Sequence, residues 1–433
     1  MSDYLPEEII HKILLKLPVK TLIKSTLVCK SWKSLIKSST FIQSHLRTTI
    51  DSNDQNDSHL LLLSASSYNR RDETSHQHHW LHWDSPEFGE YSMLSTPVIF
   101  LKNKPVSDLG VVGTSNGLVC LEVDQFYSDR SPTLIWNPSI RKVVMLPTPP
   151  VCFTSTKYDK YTTHGFGYDA HSNDYKILRV VTLLDDHSDL SRFATAVQVY
   201  SLARGSWKSF SASVIPVDLQ GGSERPAFVN GNFHTLEARL SVYYNDHYEE
   251  HHKCGGDLFI GTFNLATEEF GEIRRPEALR EDRCSISRYG DSLALIKHYN
   301  YDFRDLVNRG CDIWVMKQYG VAESWTYLFN ISVVQASIYG FKRCGEVVLM
   351  ENNERGRSRM ISFDPKTNQV KAFGIEDYIY YFMDSFVESL VLLDHANAIS
   401  YQVARTKYIN LQLQYTLTSL LNGYVYIYIY SAS

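Results

Sequence analysis

Two hydrophobic periodicities divide the chain. Over residues 1–50 the apolar positions recur every three or four: Ile9, Ile10, Ile13, Leu14 and Leu17, then Leu22, Ile23, Leu27, Val28, Trp32, Leu35 and Ile36. That spacing predicts short amphipathic helices. Leu5-Pro6 places a proline at a helix start, where its missing N–H costs nothing, and Pro18 stops the first run. So small a unit cannot bury this much apolar surface within itself. A partner or the rest of the chain must cover part of it.

From residue 59 the pattern changes to short alternating runs broken by turn residues, the strand period. These runs contain a repeat. "WNPSIRKV" begins at Trp136, "YSLARGSW" at Tyr200, "FNLATEEF" at Phe263 and "FDPKTNQV" at Phe363. Each has an aromatic residue, a small polar residue, then Pro or Leu, and an apolar residue seven positions after the first: Val143, Trp207, Phe270 and Val370. A fifth copy with a longer turn runs from Trp314 to Trp325, and a degenerate sixth, "WDSPEF", starts at Trp83. The aromatic ends a strand, the polar residue builds the reverse turn, and the returning residue packs across it. Strand–turn–strand units spaced 49 to 64 residues apart predict the blades of a β-propeller, six by this count. The strand "HLLLLS" is expected to pair with a late strand such as "FVESLVLL" to close the ring.

One motif invites a catalytic reading. Gly113-Thr114-Ser115-Asn116-Gly117 fits the G-x-S-x-G nucleophile elbow, which needs a strand, a sharp turn bearing the serine, and a helix behind it. Ser115 is followed by Asn-Gly and an alternating β-branched run, so the stretch predicts a hairpin turn. Two histidine-rich stretches, His76/His78/His79/His82 and His247/His251/His252 with Cys254, do not cleanly supply the ligand pairing of a structural zinc site and read as loop histidines. Asp169 and Asp174 bracket a turn without the acidic density of a calcium loop. No cofactor and no metal are expected.

Charge sharpens the division. Residues 1–50 hold eight cations (Lys12, Lys16, Lys20, Lys24, Lys30, Lys33, Lys37, Arg47) against Asp3, Glu7 and Glu8, a balance of +5; with −5 for the whole chain, the remainder carries −10. The overall charge argues against nucleic acid as a partner. A basic, apolar-faced helical unit suits an acidic protein partner, and a helical cap on its own domain fits as well. The N-terminal "MSDYLPEE" is no signal sequence, and no run is long enough to span a membrane. Seven scattered cysteines without C-x-x-C pairs read as reduced thiols, which places the chain in the cytoplasm and/or nucleus. After Asp394 the carboxylates stop, and the chain ends "YVYIYIYSAS", an atypical tail over 395–433.

The N-terminal motifs resemble the F-box: Leu5-Pro6, the Ile9/Ile13 stripe, Leu17-Pro18-Val19 with Leu22, Val28-Cys29 with Trp32, and Phe41. Downstream, "SNGLVCL", "LIWNPSIRKVVMLP", "HGFGYDAHSNDYKILRVV" and "SFDPKTNQVKAFGI" are similar to the region that accompanies it in plant F-box proteins of the F-box/kelch-repeat and S-locus F-box type. The resemblance implies an α+β multidomain chain: a helical F-box over 1–50, a mainly-β kelch-like propeller of about six blades over 59–394, and the tail. It further implies that the F-box docks on a Skp-type adaptor, and through it on cullin and RING subunits of a ubiquitin ligase, while the propeller receives a protein substrate. Leu5, Pro6, Ile9, Ile13, Leu17, Pro18, Val19, Leu22, Val28, Cys29, Trp32 and Phe41 are the adaptor-docking residues this implies. Catalysis is not implied, since the gain comes from holding a substrate lysine near the ubiquitin carrier. Segments 64–82, 183–194 and 240–257 are the expected recognition loops. The alternatives are a ligand-binding or enzymatic propeller with a helical cap, and an F-box scaffold that delivers no substrate.

Overall fold

In the computed structural model the first unit consists of α1 (Glu7–Leu15), α2 (Val19–Ser25), α3 (Lys30–Ile36) and α4 (Ser39–Asn56). The structure describes residues 6–69, 74–97, 99–101, 104–106, 109–123, 132–150, 160–184, 193–210, 226–238, 258–280, 282, 284–299, 310–332, 336–352, 358–376 and 378–401. Pro6 and Pro18 are the N-caps of α1 and α2, one position earlier than a first-turn proline. At α3 and α4 the Cys29 thiol and the Ser38 hydroxyl accept from the Trp32 and Phe41 N–H groups, meeting orphan donors of the first turn. Leu14, Val19, Leu22, Ile36, Phe41 and Ile42 form the core between the helices.

Blade 1 follows with β1 (Leu60–Asn69), β2 (Thr74–Trp83) and β3 (Glu90–Leu94), then a small pair, β4 (Ile99–Leu101) and β5 (Lys104–Val106). Blade 2 is β6 (Leu109–Ser115), β7 (Leu118–Val123), β8 (Thr133–Asn137) and β9 (Lys142–Met145); blade 3 is β10 (Lys160–Asp169), β11 (Asp174–Leu184), β12 (Phe193–Ser201) and β13 (Ser206–Phe210). Blade 4 comprises β14 (Ala227–Val229), β15 (Asn232–Ala238), β16 (Leu258–Asn264) and β17 (Glu269–Arg274). Blade 5 comprises β18 (Cys284–Tyr289), β19 (Ser292–Tyr299), β20 (Gly310–Met316) and β21 (Trp325–Ile331). Blade 6 is β22 (Ala336–Phe341), β23 (Val347–Asn352), β24 (Ser358–Asp364) and β25 (Gln369–Glu376). Then β26 (Ile379–Phe386) returns to blade 1 and pairs with β1, and β27 (Ile399–Ser400) adds to the outer edge of blade 2. The described strands thus form a six-bladed ring of antiparallel sheets, with β6, β10, β14, β18, β22 and, in blade 1, the late strand β26 innermost.

The repeated turn is the outer hairpin of each blade. Trp136 lies opposite Val143, Tyr200 opposite Trp207, Phe263 opposite Phe270 and Phe363 opposite Val370. The side-chain oxygens of Asn137, Asn264 and Asp364 accept from the backbone N–H two residues on, at 3.0, 2.9 and 2.9 Å. The fourth turn residue (Arg141, Gly205, Glu268 or Asn368) is left-handed, with φ of 53, 65, 59 and 57°. A short polar side chain standing in for a backbone acceptor is what fixes this reversal. In blade 5 Trp314 faces Tyr327 across the longer turn, and in blade 1 Trp83 meets Tyr91 edge-on at 4.9 Å.

Four expectations are corrected, in whole or in part. The strand that closes the ring is Ile379–Phe386, and most of "FVESLVLL" follows it as an irregular strap over 387–401. Segment 64–82 is no loop: it is most of the β1–β2 hairpin, with register Leu60↔Trp83 through Asn69↔Thr74. Of 183–194, residues 183–184 and 193–194 end β11 and begin β12; the remainder, and 240–257, lie outside the described residues. Residues 395–401, assigned above to the tail, pack on blade 2 through β27 and Tyr401, and 402–433 lie outside the described residues.

The strap explains the G-x-S-x-G stretch. Asn116 and Gly117 form the β6–β7 turn with φ of 50 and 81°, as an Asn-Gly hairpin requires. A Cβ on Gly117 would lie 2.4 Å from the Val387 carbonyl oxygen and 2.5 Å from Ser389 Oγ, so only glycine lets the strap cross. The helical unit sits at this same end of the ring, where the inner strands finish: Ile140 of the β8–β9 turn, Val391 and Leu393 pack against its core. The second and third strands of each blade are joined at the opposite face.

Candidate functional site

The helical unit sorts its apolar residues into two sets. Val19, Leu22 and Phe41 are 1, 0 and 0 % exposed and hold the helices together, so they are closed to a partner in this arrangement. Leu17 and Trp32 are half-buried against the same core. Ile9, Ile13 and Val28 face solvent at 40, 46 and 65 %, with Pro6, Pro18 and Cys29 exposed beside them; Leu5 lies outside the described residues. Leu27 is 85 % exposed, and sequence reasoning did not single it out as a docking residue. The sequence periodicity counted Leu27 and Val28 among the helical positions, but both fall in the short connection between α2 and α3. The lysines at 12, 16, 20, 24, 30, 33 and 37 are all exposed as well. Exposed large apolar side chains and exposed cations thus occur together on this unit.

Polar groups from several blades meet at the ring axis. At its helix-facing end Thr114 Oγ1 donates to Asp384 Oδ2 at 3.0 Å, the Ser385 N–H donates to Oδ1 at 2.7 Å, and Arg288 Nη1 lies 3.8 Å from Oδ1. Burial pushes the Asp384 carboxyl up, with Arg288 opposing it. These groups satisfy one another across blades 1, 2 and 5 and read as a brace. Ser115 stands at the end of β6, opposite Leu118 across a hairpin turn, with no helix behind it.

The first histidine stretch lies on β2, whose alternation sends neighbours to opposite faces. His78 stacks on Trp80 and bonds Ser67, while His82 stacks on Phe88 and bonds its carbonyl. Among the described residues no three His, Cys, Asp or Glu converge as metal ligands, and the second stretch lies outside them. His79 is wholly buried, edge-on to Trp136 at 5.4 Å, with no hydrogen-bond partner for either ring nitrogen among the described residues. Burial, helped by His78, pushes its pKa down to about 3 from 6.5. The unfolded chain therefore takes up this proton near 6.5 and the folded chain only near 3, so the associated stability is present above 6.5 and drains away between those values. Across this window the parent is expected to lose more thermal stability than His79→Phe, which Tm measured against pH for both proteins will show.

Comparison with known proteins places these two units together. Residues 3–44 match the F-box domain, and residues 63–396 match the F-box associated beta propeller domain. Among relatives from Arabidopsis thaliana, the F-box protein CPR1 is 26% identical over 408 residues, covering 90% of this chain and 89% of that protein. An F-box/kelch-repeat protein is 26% identical over 335 residues, covering 76% and 79%, and a putative F-box protein is 31% identical over 301 residues, covering 67% and 70%. The chain belongs to the F-box proteins that carry an F-box associated β-propeller.

Proposed function

We propose that this protein is the substrate-recognition subunit of a Skp–cullin–F-box ubiquitin ligase: the F-box docks on the Skp-type adaptor and the propeller binds the protein to be ubiquitinated. The carrying observation is the solvent exposure of Ile9, Ile13, Leu27 and Val28 on an F-box whose other apolar side chains are packed into a core. Exposed apolar side chains of this size, with exposed lysines on the same unit, gain most from burial against an acidic partner. The F-box occupies the end of the ring where the inner strands finish, which leaves the opposite face for the substrate. Catalysis belongs to the partners, and this chain supplies proximity. The buried cysteines Cys120, Cys284 and Cys311 form no disulfide among the described residues, which suits a reducing compartment, cytoplasm and/or nucleus.

The test is adaptor binding by the folded chain and by Leu27→Asp/Val28→Asp. Both side chains are exposed in the free protein, so the double variant is expected to keep the parent's melting temperature. Its affinity for a Skp-type adaptor is expected to fall at least about a hundredfold, because two carboxylates would enter an apolar contact. A folded parent that does not bind the adaptor would sink this reading.

A further inference from the structure

The F-box core contains a residue from the other end of the chain. Leu390 is fully buried in one cluster with Leu14, Val19, Leu22, Ile36, Phe41 and Ile42. Val391 and Leu393 pack against that cluster from its edge. A core otherwise drawn from the first helices is thus completed by the strap.

Propeller residues hold the strap in place. Asn137 Nδ2 donates to the carbonyls of Ser389 at 3.0 Å and Val391 at 2.8 Å, and Asn137 is itself wholly buried. Leu392 turns the other way, into the cluster between blades 2 and 3. The close approach at Gly117 fixes the path of Val387 and Ser389. The strap follows directly on β26, whose pairing with β1 closes the ring. Leu390 therefore reaches the helices from a fixed direction only when β26 is in place.

We propose that closure of the propeller completes the adaptor-docking unit, with Leu390 as the positioning residue through which a finished ring sets the arrangement of α1–α4. A chain whose ring is open lacks the last member of the F-box core, and its docking face is formed only in the fraction of molecules whose helices hold without it. Apparent affinity for a partner falls in proportion to that fraction. The adaptor is thereby engaged by chains whose substrate-binding domain is finished. The consequence for adaptor affinity rests on the function proposed above; the structural coupling does not.

The test compares full-length Leu390→Ala with Leu236→Ala, an equal truncation in the core of blades 4 and 5. Amide exchange and adaptor affinity are read for both. Leu390→Ala is expected to speed exchange in α1–α4 while the blades stay protected, and to weaken adaptor binding about tenfold or more. Leu236→Ala is expected to bind as the parent does. Parent-like exchange in α1–α4 of Leu390→Ala would overturn the proposal. Should that variant give no folded sample, Leu390→Val must show the same pattern at smaller amplitude, and its absence there also overturns the coupling. If the parent itself fails to bind the adaptor, the functional reading falls and the exchange pattern alone decides the coupling.

Discussion

Lys176→Ala is expected to cost about 3–5 kcal/mol of stability, measured by denaturant unfolding, because it removes one partner of a buried ion network. Lys176 is 4 % exposed. Its ammonium donates to Asp169 Oδ2 at 2.9 Å, to the Leu265 carbonyl at 2.7 Å and to Glu268 Oε1 at 3.3 Å. Two of those three acceptors belong to the outer turn of blade 4, so this one cation ties blade 3 to its neighbour. Burial by itself would raise the Asp169 and Glu268 carboxyls, but hydrogen bonds and lysine charge hold both below their ordinary range.

The sign of the pH dependence follows. Carboxyls with depressed folded pKa values contribute stability above their unfolded values, 3.8 and 4.5, and lose it as pH falls through the folded ones. In Lys176→Ala the buried Asp169 has lost its counter-charge and takes up a proton at higher pH. The gap between parent and variant is therefore expected to be widest near neutrality and to narrow towards pH ~4. Lys176→Met with Asp169→Asn, which removes both charges and keeps much of the volume, is expected to recover most of the loss. A single variant within about 1 kcal/mol of the parent would show the network to be no more than a surface pair.

What was legible in the sequence was what local chemistry decides. The outer turns were, because an aromatic residue, a small polar residue, a proline or leucine and a returning apolar residue recur at fixed offsets around Asn137, Ser201, Asn264 and Asp364. The Asn116-Gly117 turn was legible as an Asn-Gly hairpin signal. The closing strand was misplaced because an apolar run reports burial without saying what covers it. Leu390, Val391 and Leu393 are apolar because they pack on the F-box core, whereas the true closing strand carries Asp384, whose partners come from blades 2 and 5.

Segment 64–82 of the β1–β2 hairpin was read as a loop for the converse reason: many of its buried positions, Ser64, Ser66, His79 and His82, are polar. Ser66 Oγ donates to Gln77 Oε1 at 2.5 Å and Gln77 Nε2 to Ser64 Oγ at 3.1 Å, so the two strands satisfy each other's side chains. No alternation of polar and apolar residues survives such pairing. In the F-box, Ile9/Ile13 and Ile10/Leu14 are equally apolar stripes one position apart, and only the packing of α1 on α4 separates the exposed pair from the buried one. Leu390 was out of reach for any local pattern, since its partners lie more than three hundred residues away.

Trp136→Ala is expected to cost a further 3–5 kcal/mol, with a consequence that a simple cavity would not have. Trp136 is fully buried in the cluster shared by blades 1 and 2. Its Nε1–H donates to the Tyr401 hydroxyl at 2.6 Å, and that hydroxyl donates to the Ser95 carbonyl at 2.9 Å. One aromatic residue of the repeated turn thus fills a core and also anchors the end of the strap, beside the pairing of Ile399 with Val143. Trp136→Phe separates the roles: it keeps much of the volume, drops the donor, and is expected to cost about 1–3 kcal/mol. Amide exchange at Ile399–Tyr401 should rise in both variants, since both remove the anchor, while exchange in β8 should rise chiefly in the alanine form. Unchanged exchange at Ile399–Tyr401 in Trp136→Phe would mean that β27 pairing alone holds the strap. The route from the closing strand to the F-box core would then run through Asn137 and Gly117 without help from blade 2's outer edge.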